Sequence, residues 1–126
     1  MKKKILNVLY QTDNNYAVVT GVSIASLLEN NKDLDEIVIY LIDGGIIKHN
    51  LDNMKELVNE YGRTLEIIDG KDIEKKLKAM NCRPYKGSYV TYYKLLAYEF
   101  IKTKTDRILM LDGDILVVES LSDILD

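Results

Sequence analysis

Short apolar runs alternating with stretches of helical spacing constrain this chain more than any other feature. Residues 5–10, 36–42, 65–68 and 108–111 are dominated by Ile, Leu and Val at strand length, and the segments between them carry apolar residues three and four apart. Strand and helix in regular succession predict a mostly parallel sheet with helices on both faces, a three-layer α/β domain. The first helix is expected over 17–29, with Val18, Val22, Ala25 and Leu28 on one face and Gly21 inside it where close packing is plausible. The second, capped by Asn50, carries Leu51, Met54, Leu57, Val58 and Tyr61 and stops at Gly62. The third, capped by Asp72, carries Ile73, Leu77 and Met80. An irregular segment holding Pro84 follows, and Ser88 is expected to cap a fourth helix running to about Lys102.

The fourth apolar run is where chemistry is expected. Residues 108–111 do not alternate, as in a strand buried on both faces of a parallel sheet, and they stop at Asp112-Gly113-Asp114. Ligands of open α/β sheets bind beyond the carboxyl ends of the strands. Side chains two apart on an extended backbone share a face. Two carboxylates about 5 Å apart repel by about 3 kcal/mol at an effective dielectric of about 20. That is enough to make the pair hold a proton or recruit a cation. A hard divalent ion with oxygen ligands, Mn²⁺ or Mg²⁺, resolves the conflict economically. The plain alternative is a type I′ turn, for which Asp-Gly is a strong signal. An EF-hand loop is nearly excluded, because Leu116 and Val117 stand where it needs an acid and a glycine.

Beyond the two acids, residues 115–118 read as a short fifth strand, and Ser120-Leu121-Ser122-Asp123 has the form of a capping box. The sequence reaches Asp126 barely one turn later, so a truncated domain is expected, the alternative being a frayed terminal turn. The first strand runs into Gln11-Thr12-Asp13-Asn14-Asn15-Tyr16, a polar loop leading to a helix N-terminus, where anionic phosphates and polar ligands are favoured. Gly44-Gly45 and Gly70 have no phosphate-loop spacing and read as turn glycines. Tyr89, Tyr92, Tyr93 and Tyr98 surround Lys94 on the fourth helix. The tyrosines suit a core helix with hydroxyls at its rim; a lysine amid an aromatic surface is harder to explain that way.

Composition narrows the classes. The chain of 126 residues is 47% hydrophobic and 29% charged, ordinary for one globular domain. A net charge of −3 without a basic stripe argues against nucleic acid as a partner. Lys2-Lys3-Lys4 resembles the start of a signal peptide, but the apolar run behind it is short and interrupted by Asn7, too short for a leader or a membrane span. One cysteine, Cys82, cannot form an internal disulfide and suits a reducing cytosol; with His49 in a different connection it reads as a small buried hydrophobe.

Three motifs together resemble the glycosyltransferases of family 8, retaining enzymes that include galactosyltransferases, glucosyltransferases and glycogenin. Leu-Tyr-Gln-Thr-Asp-Asn-Asn-Tyr at 9–16 is similar to the loop that holds the uracil and ribose of a UDP-sugar. Ser-Tyr-Val-Thr-Tyr-Tyr-Lys-Leu at 88–95 is similar to the family's Ser/Thr-x-Tyr-Tyr-Arg-Leu helix. Arg-Ile-Leu-Met-Leu-Asp-Gly-Asp-Ile-Leu-Val at 107–117 is similar to the strand bearing its DxD site. The resemblance spans residues 6–125 but would cover only the N-terminal half of a typical member. It implies a GT-A, Rossmann-like fold. It assigns Thr12, Asp13, Asn15 and Tyr16 to the nucleotide, Asp112 and Asp114 to the metal, Gly113 to the neighbourhood of the ribose, and Lys94 to the donor's diphosphate or sugar. Lys94 stands where the family has arginine, keeping the charge without the planar fork. The third metal ligand, a histidine followed by a Gly-x-x-Lys motif, and most of the acceptor site would come from the C-terminal half; nothing in 1–126 supplies them.

The implied activity is transfer of a hexose from a UDP-sugar to a saccharide or lipid-linked saccharide acceptor, in the cytoplasm or at the inner face of a membrane. No side chain here is nominated as a covalent nucleophile. Two other readings stay open: a nucleotide-sugar-binding half-domain without turnover, and a haloacid-dehalogenase-type phosphotransfer enzyme with Asp112 as nucleophile. The latter's motif normally sits on the first strand, not the fourth.

Overall fold

A computed structural model describes residues 2–101 and 107–126. Four parallel strands, β1 (Ile5–Thr12), β2 (Glu36–Asp43), β3 (Thr64–Asp69) and β4 (Leu109–Met110), form one sheet in the order β3-β2-β1-β4. Helices α1 (Ala17–Glu29), α2 (Lys48–Glu60) and α3 (Gly70–Ala79) follow the first three strands. On β1, Leu6, Val8 and Tyr10 face a core shared with α1 and α2, whereas Leu9 faces a second core with Ile73 and Leu77 of α3 and with Tyr93 and Ala97. The expected layers, helices on both faces of a parallel sheet, are therefore present.

The register aligns the carboxyl ends of the first three strands. Thr12 pairs with Asp43, and Asp43 with Asp69. Each βα turn is closed by an aspartate of its own. Asp13 accepts from the Tyr16 amide at 3.0 Å, Asp43 from Gly45 and Ile46 at 2.9 and 2.7 Å, and Asp69 from Lys71 at 2.9 Å. Such Asx turns satisfy amides that a starting helix would leave unpaired. They place the turns, and hence the site, on one edge of the sheet.

Several local expectations are corrected. Helix α1 buries Ala17, Thr20, Ser23, Ile24, Leu27 and Leu28, while Val18 and Val22 face outward at 70% and 57% exposure. Two hydroxyls hide in the buried stripe, which hydrophobicity alone passes over; Ser23 is accommodated by a 2.9 Å hydrogen bond with the Tyr10 hydroxyl. Helix α2 starts at Lys48 rather than at an Asn50 cap. The Asn50 amide instead donates to Asn14 Oδ1 at 3.1 Å, which also accepts from the Ile47 amide at 3.0 Å. Asp69, not Asp72, caps α3, and Met80 is exposed. Gly62 does end α2: its φ is +68°, and the Arg63 amide donates back to the Val58 carbonyl at 3.1 Å.

The segment from Ser88 is not one helix. It is a 3₁₀ turn (Val90–Tyr92), a single α turn, α4 (Tyr93–Leu96), and a second 3₁₀ turn (Ala97–Phe100); Lys102 lies outside the described residues. Ser88 Oγ accepts from the Val90 amide at 3.2 Å, but Tyr89 rather than Ser88 stands at the cap of the first turn, and no side chain caps it. Residues 115–118 form no strand. They cross the end of α1, where the Val117 amide donates to Ser26 Oγ and its carbonyl accepts from Asn30 Nδ2, both at 2.9 Å. Residues 122–125 make a 3₁₀ turn behind the Ser120 hydroxyl. Strand β4 lies at the sheet's edge, and Met110 is 45% exposed rather than buried on both faces.

Candidate functional site

Beyond the carboxyl ends of β1 and β4 lies a cleft of about 380 Å³, lined by Gln11, Thr12, Asp13, Tyr16, Thr20, Val90, Gly113 and Asp114. Two sequence segments about a hundred residues apart meet there because β1 and β4 pair in parallel, Leu9 opposite Met110, and the Leu111 amide donates to the Leu9 carbonyl at 3.0 Å. One strand delivers the polar loop and the other the two acids. Of the residues expected at the site, Thr12, Asp13, Tyr16, Gly113 and Asp114 line this cleft. Asp112 and Lys94 stand just outside the lining, joined to each other. Asn15 is exposed and does not line it.

The loop is well braced. Thr12 Oγ1 donates to the Asp13 carbonyl at 3.0 Å, the Gly44 amide donates to the Thr12 carbonyl at 2.9 Å, and Asn14 ties the loop to the start of α2. A Cβ on Gly44 would stand 2.9 Å from the Thr12 carbonyl oxygen, so that position requires glycine for close approach. Tyr16 is 63% exposed and offers an aromatic face at the rim.

The acids sit in a turn, but not the hairpin turn that Asp-Gly can signal. The Ile115 amide donates to the Asp112 carbonyl at 3.3 Å. Neither Gly113 nor Asp114 has positive φ, and type I′ needs it at both central residues. No antiparallel strand follows. The positive φ pair is instead Lys86 and Gly87 (49° and 77°), in the small turn that pairs Tyr85 with Ser88. Gly113 is pressed onto α1: an added Cβ would overlap the Thr20 hydroxyl and come within 3.3 Å of its Cβ.

Asp112 has a cationic partner within the chain. Lys94 Nζ lies 3.1 Å from Asp112 Oδ1 and 3.5 Å from the Leu111 carbonyl. The lysine side chain is 24% exposed and the aspartate 77%, so the pair is half in water and a loosely held charge contact. Of the tyrosines around Lys94 only Tyr93 is buried; Tyr89 and Tyr92 are half-buried and Tyr98 is exposed. Tyr93 is buried against Gly70 with its hydroxyl 3.5 Å from Glu74, and Tyr89 donates to the Cys82 carbonyl at 3.1 Å. Burial, then the nearby Glu74 carboxylate, pushes the Tyr93 hydroxyl above the usual tyrosine range.

Two exposed carboxylates are the right donors for a hard divalent ion. Among the described residues, no three His, Cys, Asp or Glu side chains are grouped as a cage. An ion here would draw its remaining ligands from phosphate oxygens and water, which is how Mg²⁺-type sites at diphosphates are usually built. The donor set thus fits Mn²⁺ or Mg²⁺ as a half-site completed by a ligand. His49 is on α2 beside Asn53 and does not line the cleft. Sequence reasoning missed Gln11, whose Nε2 donates to the Val90 carbonyl at 2.8 Å and ties β1 to the tyrosine segment, and it missed Thr20. Thr20 carried a usable signal: a hydroxyl a helical turn after the loop's Tyr16.

Comparison with known proteins gives a consistent picture. The model of glycosyl transferase family 8 matches residues 7–126. The chain is 29% identical over 98% of its length to a lipopolysaccharide 1,2-glucosyltransferase of Escherichia coli, spanning 35% of that protein. It is 25% identical over 95% of its length to a lipopolysaccharide 1,3-galactosyltransferase of Salmonella typhimurium, spanning 34% of it. The crystal structure of the galactosyltransferase LgtC, in complex with donor and acceptor sugar analogs, superposes with a TM-score of 0.69 at 25% identity, covering 94% of this chain and 41% of that one. The chain therefore spans between a third and a half of the length of these relatives.

Proposed function

The chain belongs to glycosyl transferase family 8, and on that premise we propose that it forms the donor-binding half of a metal-dependent retaining glycosyltransferase that uses a UDP-sugar. The observation that carries the reading is the meeting of the Thr12–Asp13–Tyr16 loop and the Gly113–Asp114 turn in one cleft at the carboxyl edge of the sheet. Asp112 and Asp114 hold Mn²⁺ or Mg²⁺; bound there, the ion supplies Lewis-acid stabilisation of the charge that develops on the departing diphosphate. Thr12 and Asp13 recognise the nucleoside, Tyr16 offers its ring to the base, and Gly113 lets the ribose approach the backbone. Lys94 moves from Asp112 toward the donor's diphosphate or sugar. The acceptor is a saccharide or lipid-linked saccharide, and its contacts come mostly from the part of the family's length that this chain does not span. No described helix is long and apolar enough to cross a membrane.

That partial span favours binding without turnover as the activity of these 126 residues alone. Titration with UDP, GDP and ADP, each with and without Mn²⁺, tests the reading. UDP is expected to bind only with metal and more tightly than the other two. Asp13→Ala is expected to weaken UDP binding about tenfold by removing one good polar contact, with little effect on metal affinity. Equal affinity for all three nucleotides, or metal-independent binding, would refute the proposal.

A further inference from the structure

Among the described residues, one buried side-chain oxygen has no hydrogen-bond partner: Oγ1 of Thr20. Thr20 is 0% exposed, in the middle of the buried stripe of α1, and borders the cleft beside Gly113 and Asp114. A threonine inside a helix commonly returns its hydroxyl to the carbonyl one turn earlier. Here the Tyr16 carbonyl takes the Thr20 amide, at 2.8 Å, and the hydroxyl is directed at Gly113 instead. Burying an unmatched hydroxyl is destabilising, and valine has the same shape without that cost. The helix already has valine at 18, 19 and 22. Among the described residues, the backbone hydrogen bond within the acid-bearing turn runs from the Ile115 amide to the Asp112 carbonyl, and the Gly113 and Asp114 N–H groups take no part in it.

We infer that Thr20 is a positioning residue for the two acids: its hydroxyl accepts a hydrogen bond from the Gly113–Asp114 backbone when a metal-bound nucleoside diphosphate draws the carboxylates together. The inference rests on the donor-site reading above. In the unliganded chain the threonine seats Gly113 by contact alone. In the loaded chain it also fixes the tilt of the turn, so the energy of an unmatched hydroxyl is returned on binding. The absence of a side chain at 113 is what lets the turn settle onto the hydroxyl.

Thr20→Val keeps the shape and removes the hydroxyl, and Thr20→Ser keeps the hydroxyl. Both are compared with the unsubstituted chain by titration of UDP in Mn²⁺ and by thermal unfolding without ligand. Thr20→Val is expected to unfold no earlier than the unsubstituted chain and to bind UDP with Mn²⁺ about tenfold more weakly; Thr20→Ser is expected to stay within about twofold. Unchanged affinity in Thr20→Val, or the same loss in Thr20→Ser, overturns the role of the hydroxyl. Earlier unfolding of Thr20→Val would show the hydroxyl already satisfied without ligand and would overturn it too. Failure of the unsubstituted chain to bind UDP with Mn²⁺ would instead bring down the donor site itself, a result visible before any change at Thr20.

Discussion

Asp112 faces a cation even without a ligand, and that sets the first prediction at the scale of single residues. Lys94 occupies one carboxylate oxygen at 3.1 Å, so a metal must compete with an ammonium group for it. Lys94→Gln is expected to strengthen the binding of Mn²⁺ alone by a few-fold and to weaken UDP binding in Mn²⁺ about tenfold, since the charge that meets the donor is gone. Unchanged affinities in manganese and nucleotide titrations would contradict both roles. Gly113→Ala is expected to destabilise the chain by about 1–3 kcal/mol through overlap with Thr20. Thr20→Ala in the same chain should recover part of that loss in urea unfolding, and purely additive losses would contradict the contact. At this scale the sequence revealed acids and loop residues, because charge and polarity after an apolar run are visible in one dimension. It hid Thr20 and Gln11, whose roles depend on what stands across from them.

At the scale of elements, the three βα units and the place of β4 were legible and the segments around β4 were not, for a physical reason. Strands β1 and β2 are buried through most of their length, and Gly62 is a local stop that needs no tertiary partner. Segment 115–118 has strand-like residues, yet Val117 in it is held by the Ser26 and Asn30 side chains, which no periodicity announces. The outward valines of α1 misled for the opposite reason: a hydrophobic stripe is only a buried stripe if something packs on it. One junction is sharply testable. A Cβ on Gly70 would come within 2.7 Å of both the Asp43 carbonyl oxygen and the Tyr93 ring. Gly70→Ala is expected to cost about 1–3 kcal/mol in denaturant unfolding by prying the start of α3 from Tyr93. No loss would mean that α3 and the tyrosine segment are not packed as described.

At the scale of the molecule, β4 is the last strand on its side of the sheet among the described residues, and its Met110 is exposed. The chain's relatives are two to three times longer than the portion matched, so on the proposed reading a third metal ligand and the acceptor contacts come from the length this chain does not span. Global stability should carry the mark of two tyrosines. Burial holds the Tyr10 and Tyr93 hydroxyls protonated above the ordinary value of 10.0. The unfolded chain ionises these groups first, so this stability is fully present below pH 10.0 and falls as pH rises through the folded-state values. Tyr10→Phe should flatten that alkaline fall in urea melts, and an equally steep fall would contradict the assignment.

On the proposed reading, the two acids around Gly113 hold a divalent ion against a nucleoside diphosphate. Electron paramagnetic resonance of free Mn²⁺, titrated with the chain in the absence and presence of UDP, tests it most directly. The free-ion signal is expected to fall only slightly without UDP and sharply with it, and to persist in Asp112→Asn and Asp114→Asn; equal uptake with and without UDP, or undiminished uptake in either variant, would contradict metal binding by the two acids.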